Sequence, residues 1–302
     1  HQDGDQFMSV QLLGTLKLEG MSDKGIEIGE ASGLAWSEQR NLLLVVSNDG
    51  YLFHLRPVFD ASGILTSVAL TGAFPLLGDD NRQLARAWRD AEGLALIQRG
   101  ETEHVLISFE GRHRVDEFDT EGHWITNHGL PELLADAQFQ SKNKGMEALA
   151  QHPHYGILTS TELPPEGTSW REQSIYSLDG KHHWRIERSR LADASVVGMD
   201  ISPEGDVILL ERSFESILQP IATSLYRVKL TEKCSNTNTL CEKQLIARFR
   251  SDQGWNIDNF EGVTRVGKLG YFMISDNNRF WMQRTLLSHF KLVEGDAPSE
   301  NP

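Results

Sequence analysis

A short phrase recurs along this chain at nearly constant intervals. It reads Ser32-Gly33-Leu34, Glu92-Gly93-Leu94, Glu147-Ala148-Leu149, Asp200-Ile201-Ser202 and Glu261-Gly262-Val263, at steps of 60, 55, 53 and 61 residues. A fixed period of this size in β-rich sequence specifies a radial repeat, the β-propeller, in which each repeat is one blade of four antiparallel strands. Four of the five copies carry a carboxylate at the same point. Radial repetition brings equivalent points of all blades around one axis, so the repeat predicts a ring of acids.

Runs rich in Val, Ile, Leu, Tyr and Phe between turn signals supply the strands. The first four repeats each read as four strands, with Asn48-Asp49-Gly50, Glu121-Gly122, Asp179-Gly180 and Pro203-Glu204-Gly205 as the clearest turns. The fifth has three: Gly262 to Arg265, Tyr271 to Ser275 and Arg284 to Leu292. One strand-like run, Ser9 to Leu18, is left over at the N-terminus. Pairing it into the last blade closes the ring and leaves no exposed edge. The expected fold is all-β, a single propeller domain over residues 1–302 with a tail from 293, and five four-stranded blades. Six blades are the alternative if the loop from Gly78 to Asp90 hides strands. Pro131 to Ala137 reads as a short helix with proline in its first turn, and Phe214 to Ala222 as a loop insertion beside a channel mouth.

The inner strand of each blade begins at the repeated phrase and the second strand returns to the same end. Second strands end in Asp49, Glu110, Glu162, Glu211 and Asp276, a second tier behind the inner ring of Glu92, Glu147, Asp200 and Glu261. So many acids cannot stay ionised together without compensation. Bound Ca²⁺, which takes six to eight oxygen ligands, would supply it. So would the neighbouring bases Lys144, Arg112, Arg212 and Arg279. The plainer reading is structural: carboxylates that bond backbone amides of the next blade.

Composition narrows the partners. The net charge of −14 argues against nucleic acid, which demands a basic face, and no apolar run reaches membrane-span length. Cys234 and Cys241 flank a polar, turn-like stretch between two strand-like runs, which fits a disulfide-closed hairpin loop and an oxidising compartment. The chain begins at His1 without a charged or apolar leader, and with the cysteines the expectation is export, to a periplasm or beyond. The histidines of His152-Pro153-His154 and His182-His183 read as surface residues ahead of metal ligands, and most tryptophans as packing between blades. No Gly-x-Ser-x-Gly elbow, P-loop or dinucleotide glycine pattern is present.

The chain resembles the phytase-like propellers described as "esterase-like activity of phytase". The matching stretches are Ser32 to Ala35, Asp90 to Ala95, Ser108-Phe109-Glu110 with Arg112 and Arg114, and Asn143 to Leu149. Leu209 to Phe214, Ile257 to Gly262 and Ser275 to Asn278 follow. Leu-Glu-Arg-Ser-Phe and Asp-Asn-Phe-Glu-Gly are the most specific, and the first blade, with Ser32 in place of an acid, the least. The resemblance implies hydrolysis of a phosphoester or ester by an exported protein, with calcium at the mouth. Glu92, Glu147, Asp200 and Glu261 would hold the metal, one of Glu92, Glu147 or Glu211 would act as general base, and Arg112, Lys144 and Arg212 would grip a small phosphorylated or ester substrate. A monomer is expected. The second reading is a non-catalytic, ligand- or partner-binding propeller with a structural calcium.

Overall fold

A computed structural model describes residues 3–135, 137, 139, 144–214, 220–255, 257–277 and 283–293. Its strands form five sheets around an axis, plus one small hairpin, Ser22–Asp23 with Ile26–Glu27. From the inside outward, the first blade is Ala31–Ser37, Leu42–Ser47, Tyr51–Phe59 and Leu65–Pro75. The second is Ala91–Arg99, Thr102–Phe109, Arg114–Asp119 and Trp124–His128; the third is Met146–His152, Gly156–Thr161, Glu172–Ser177 and His183–Glu187. The fourth is Ser195–Ile201, Val207–Ser213, Ala222–Lys229 and Glu242–Arg250. The fifth is Asn259–Val266, Gly270–Asp276 and Leu286–Leu292, and its fourth strand is the N-terminal Val10–Lys17, which pairs antiparallel with Leu286–Leu292. Gln6–Phe7 adds a short fifth strand to that sheet.

Burial follows from the radial arrangement. A strand near the axis has a blade on each face, so it reads as a continuous apolar run rather than an alternating one. Leu42–Ser47 is buried at every position. The outermost strand has no such cover: Trp124–His128 has no fully buried residue. Apolar side chains collect in five clusters, one per seam between neighbouring blades. Trp184, Leu158 and Tyr226 fill the seam between blades three and four, and Phe53 and Leu43 meet Phe272 and Ile274 between blades one and five.

The loop from Gly78 to Asp90 contains a 3₁₀ turn, Arg86–Trp88, and an isolated bridge between Leu77 and Gln83, so it contributes no further blade. The helix after Pro131 is Glu132–Ala135. Residues 215–219 of the predicted insertion lie outside the described residues. Cys234 and Cys241 are disulfide-bonded. Their loop lies along the outermost strand of blade three: Asn236 N–H donates to His183 O (2.7 Å) and Cys241 N–H to Arg185 O (2.8 Å). It thereby covers backbone groups that an edge strand would leave open. Among the described residues no helix is long and apolar enough to cross a membrane.

His152 is not a surface residue. It is buried, its Nε2 bonds Gly205 O (2.9 Å), and its Nδ1 accepts the N–H groups of His154 (3.0 Å) and Tyr155 (3.1 Å), which leaves no nitrogen for a metal. The tryptophans divide. Trp184 and Trp255 are buried in seams, whereas Trp88 and Trp170 are exposed and each carries an arginine on its ring.

Candidate functional site: an acidic channel mouth

Each inner strand carries a β-bulge at the same place. In each blade the pairing with the second strand shifts near the strand's start, at a single unpaired residue in four blades and at Glu92 and Gly93 opposite Ser108 in blade two. The bulged residues are Ser32, Glu92, Glu147, Val197 and Glu261. A bulge re-aims the side chain of its extra residue, and here it aims one residue per blade at the mouth.

The residue after the bulge explains the second letter of the repeat. A Cβ on Gly33 would lie 2.5 Å from Glu92 O, one on Gly93 2.6 Å from Glu147 O, one on Gly198 3.0 Å from Glu261 O, and one on Gly262 2.7 Å from Ser32 O. Neighbouring inner strands approach so closely here that a side chain larger than hydrogen is excluded at Gly33, Gly93 and Gly262, and at Gly198 would need the neighbouring strand to give way. Only blade three has a methyl group, Ala148.

This alignment corrects the fourth copy of the phrase. The equivalent of Glu-Gly-Leu is Val197-Gly198-Met199, and Asp200 lies three residues farther along the strand. At about 3.3 Å per residue that is roughly 10 Å deeper in the channel. The Asp200 carboxylate accepts the Thr264 hydroxyl (2.9 Å) and the N–H groups of Arg265 (2.5 Å) and Ile201 (2.6 Å). It lines a cavity of about 150 Å³ at the other end of the channel. Its role there is the inter-blade hydrogen bonding anticipated as the plainer alternative. The mouth ring therefore holds three acids, a serine and a valine. Ser32 is a donor within the framework, bonding Ala91 O (2.6 Å). Below the ring, Leu34, Leu94, Leu149, Met199 and Val263 form an apolar collar, and the space left between the strands is about 10 Å³, room for about one water.

The second tier adds Glu110 and Glu162 from the ends of second strands, and Asp90 from the residue before the second blade's inner strand. Carboxylate oxygens of Asp90, Glu92 and Glu110 lie within 4.8 Å of one another, and so do those of Glu110, Glu147 and Glu162. The two triads share Glu110. Asp90 had not been singled out as a ligand; its place two residues before Glu92 was the available signal.

Compensation is uneven around the mouth. On the side of blades four and five, Arg212 Nη1 donates to Asn259 Oδ1 (2.6 Å) and to Glu261 Oε1, and Nη2 reaches Glu162 Oε1 (3.4 Å). Burial opposes the Arg212 charge, but Glu261, Glu162, Glu147 and Asp276 outweigh it and hold the guanidinium more firmly protonated than usual. Lys144 Nζ donates to Glu162 Oε1 (2.8 Å). On the side of blades two and three, neither Glu92 nor Glu147 accepts a hydrogen bond from any described residue. Burial, and then the other acids, push both well above the ordinary carboxylate range. Glu110 accepts the Gly145 N–H, yet burial and the charges of Glu162 and Asp90 still raise it to about 8.

Three other predicted residues fall elsewhere. Glu211 and Arg212 are neighbours on one strand and so face opposite ways. Arg212 enters the mouth; Glu211 turns toward the outer strand of its own blade, where Lys243 Nζ holds Oε1. Arg112 stands on the rim, stacked 3.9 Å over the Trp88 ring. Asp49 pairs with Arg89 (3.2 Å) on blade one. Arg279, with Asn143 and Asn278 of the matching stretches, lies outside the described residues.

The donor set tests metal binding by its chemistry. Asp90, Glu92, Glu110, Glu147 and Glu162 offer only carboxylate oxygens, with no imidazole or thiolate. That suits a hard cation such as Ca²⁺ or Mg²⁺ and not a site built for zinc. The fold and the site together define a five-bladed propeller with an oxygen-lined mouth. The chain belongs to the phytase-like family described as "esterase-like activity of phytase", whose model matches residues 26–279. No curated protein matches it in sequence. Among solved structures it is similar to the PQQ-bound aldose sugar dehydrogenase of Streptomyces coelicolor, at 12% identity and a TM-score of 0.47, over 94% of this chain and 98% of that one.

Proposed function

We propose that this chain is an exported, calcium-dependent hydrolase of phosphoesters or esters. The observation that carries the reading is the pair of carboxylate triads sharing Glu110, in which Glu92 and Glu147 accept no hydrogen bond from any described residue. Asp90, Glu92, Glu110, Glu147 and Glu162 would hold the cation, which, when bound, supplies charge neutralisation at phosphoryl oxygens and acidifies a coordinated water. With Glu211 turned away, the candidates for holding the proton of an attacking water narrow to Glu92 and Glu147. Both are buried, and burial with the surrounding acids favours their protonated form, so either could act as a base only with a bound cation offsetting that charge.

The cations divide the remaining work. Arg212 is committed to Glu261 and Glu162, so its first task is to keep the blade-five side of the mouth neutral. Lys144 is half-exposed and retains donors beyond the one given to Glu162. Arg112, exposed and held flat on Trp88, is placed to meet an incoming anion at the rim. The disulfide supports export, because such bonds persist in oxidising compartments.

A second reading, a ligand-binding propeller with a structural cation, is favoured by one observation: Glu110 and Glu162 are only 3% and 2% exposed. The experiment that separates the two is product release from a phosphomonoester, a phosphodiester and a carboxylic ester by EDTA-treated protein, before and after Ca²⁺ is restored. Restored turnover that E147Q abolishes supports the hydrolase. Calcium-dependent stability without turnover of any substrate supports the structural cation.

A further inference from the structure

A second charged site lies outside the mouth, at the seam between blades three and four. A cavity of about 450 Å³ is lined by Arg188, Arg190, Lys243, Arg248 and Arg250, with Tyr226 in its wall. On a chain of net charge −14 this concentration of cations is out of character. Three of the five are answered by acids: Arg190 by Glu187 (3.3 Å), Lys243 by Glu211, and Arg250 by Asp252 (2.8 Å). Arg188 and Arg248 have no carboxylate within ion-pair distance among the described residues, and the acid whose charge acts on both, Glu211, is held by Lys243. Arg248 is positioned by neutral oxygens instead, donating to Tyr226 Oη (2.9 Å) and Ser224 Oγ (3.2 Å). Arg188 stacks 4.1 Å over Trp170 and donates to Ala194 O (2.6 Å), while its buried Nε has no partner. A buried guanidinium N–H without an acceptor is costly. The rest of the Arg188 side chain lines the cavity.

We propose that this cavity binds a small phosphorylated or sulfated molecule. The donors come from different elements: Arg188 from the crossover between blades three and four, and Arg248 and Lys243 from the outermost strand of blade four. Convergence of that kind suits a tetrahedral oxyanion, and guanidinium forks are the preferred partners of such groups. The volume exceeds that of one oxyanion, and Leu191 and Leu240 provide apolar wall for an attached organic group. Cys241 also lines the cavity, so the disulfide loop fixes one wall of the site. This inference stands apart from the hydrolase reading, because none of its residues belongs to the mouth.

The test is calorimetric titration of EDTA-treated protein with inorganic phosphate, phenyl phosphate and phenyl sulfate. Saturable binding is expected, tighter for phenyl phosphate than for inorganic phosphate, and weakened about tenfold or more by R248Q. The two phenyl esters distinguish a phosphate site from a sulfate site. E147Q, at the mouth, leaves the binding unchanged. R190Q, on the exposed rim, covers the case in which R248Q fails to fold, and weakens binding several-fold. No saturable binding of any of the three, or binding that neither arginine variant weakens, overturns the proposal.

Discussion

Two buried glutamates of blade two, Glu110 and Glu117, are driven in opposite directions. Glu117 is reached by Arg99 (2.8 and 3.1 Å), His104 (2.7 Å) and His128 (2.8 Å), and these donors hold its carboxyl down at about 2. Glu110 accepts one backbone N–H among other acids and is raised to about 8. Both are nearly inaccessible to solvent, but loss of hydration dominates at Glu110, whereas at Glu117 the three basic donors outweigh it. Among the described residues no side chain donates a hydrogen bond to Glu92 or Glu147, and Arg212, the base that acts on Glu147, is outweighed by burial and the other acids. That contrast separates a carboxylate neutralised by its own blade from carboxylates whose charge the described residues leave largely unanswered.

The largest effect that would break this comparison belongs to the geometry that places the acids. G93A puts a methyl group 2.6 Å from Glu147 O and 2.9 Å from Leu149 N, and both are backbone atoms. Thermal or urea denaturation should show a loss of about 3 kcal/mol. A loss near zero would mean that the inner strands are not packed as described. Next comes E117Q, which removes the charge and one of the two acceptor oxygens that face three basic side chains and should cost about 2 kcal/mol near neutral pH. Because the folded carboxyl is depressed, its contribution is full above about pH 4.5 and is lost as pH falls toward about 2. The difference in stability between wild type and E117Q should shrink across that window, and a constant difference would contradict the assignment.

E147Q should act with the opposite sign. Removing one charge from a cluster in which the acids outweigh Arg212 should stabilise calcium-free protein at pH 8 by about 1 kcal/mol, measured as a raised Tm. Destabilisation would mean that the attraction of Arg212 outweighs the other acids at Glu147. The smallest change is D200N, which loses one backbone hydrogen bond, costs about 0.5 kcal/mol, and leaves any calcium response as in wild type.

Much of the architecture was legible because the physics is periodic. The blade count, most strand bounds and the acids of blades two, three and five follow from a phrase repeated at blade spacing. The fourth copy was misplaced because alignment followed the acid. The glycine is the firmer anchor: close approach of neighbouring inner strands admits little beyond hydrogen at that point, whereas the preceding residue varies among Glu, Ser and Val. Gly198 was the available signal for Val197. The choice between Glu211 and Arg212 needed the strand register, since adjacent residues face opposite sides and a shift of one exchanges them. The cationic seam was not legible at all. Its arginines come from segments about sixty residues apart that only the blade-to-blade packing brings together.

The central claim is that the blade-two and blade-three side of the mouth is a cation site. Calorimetric titration of EDTA-treated protein with Ca²⁺ tests it most directly, with wild type, E147Q and E211Q side by side. The account predicts saturable binding by wild type and E211Q, with strong weakening by E147Q. Absence of calcium binding, or binding that survives E147Q unchanged, would contradict it.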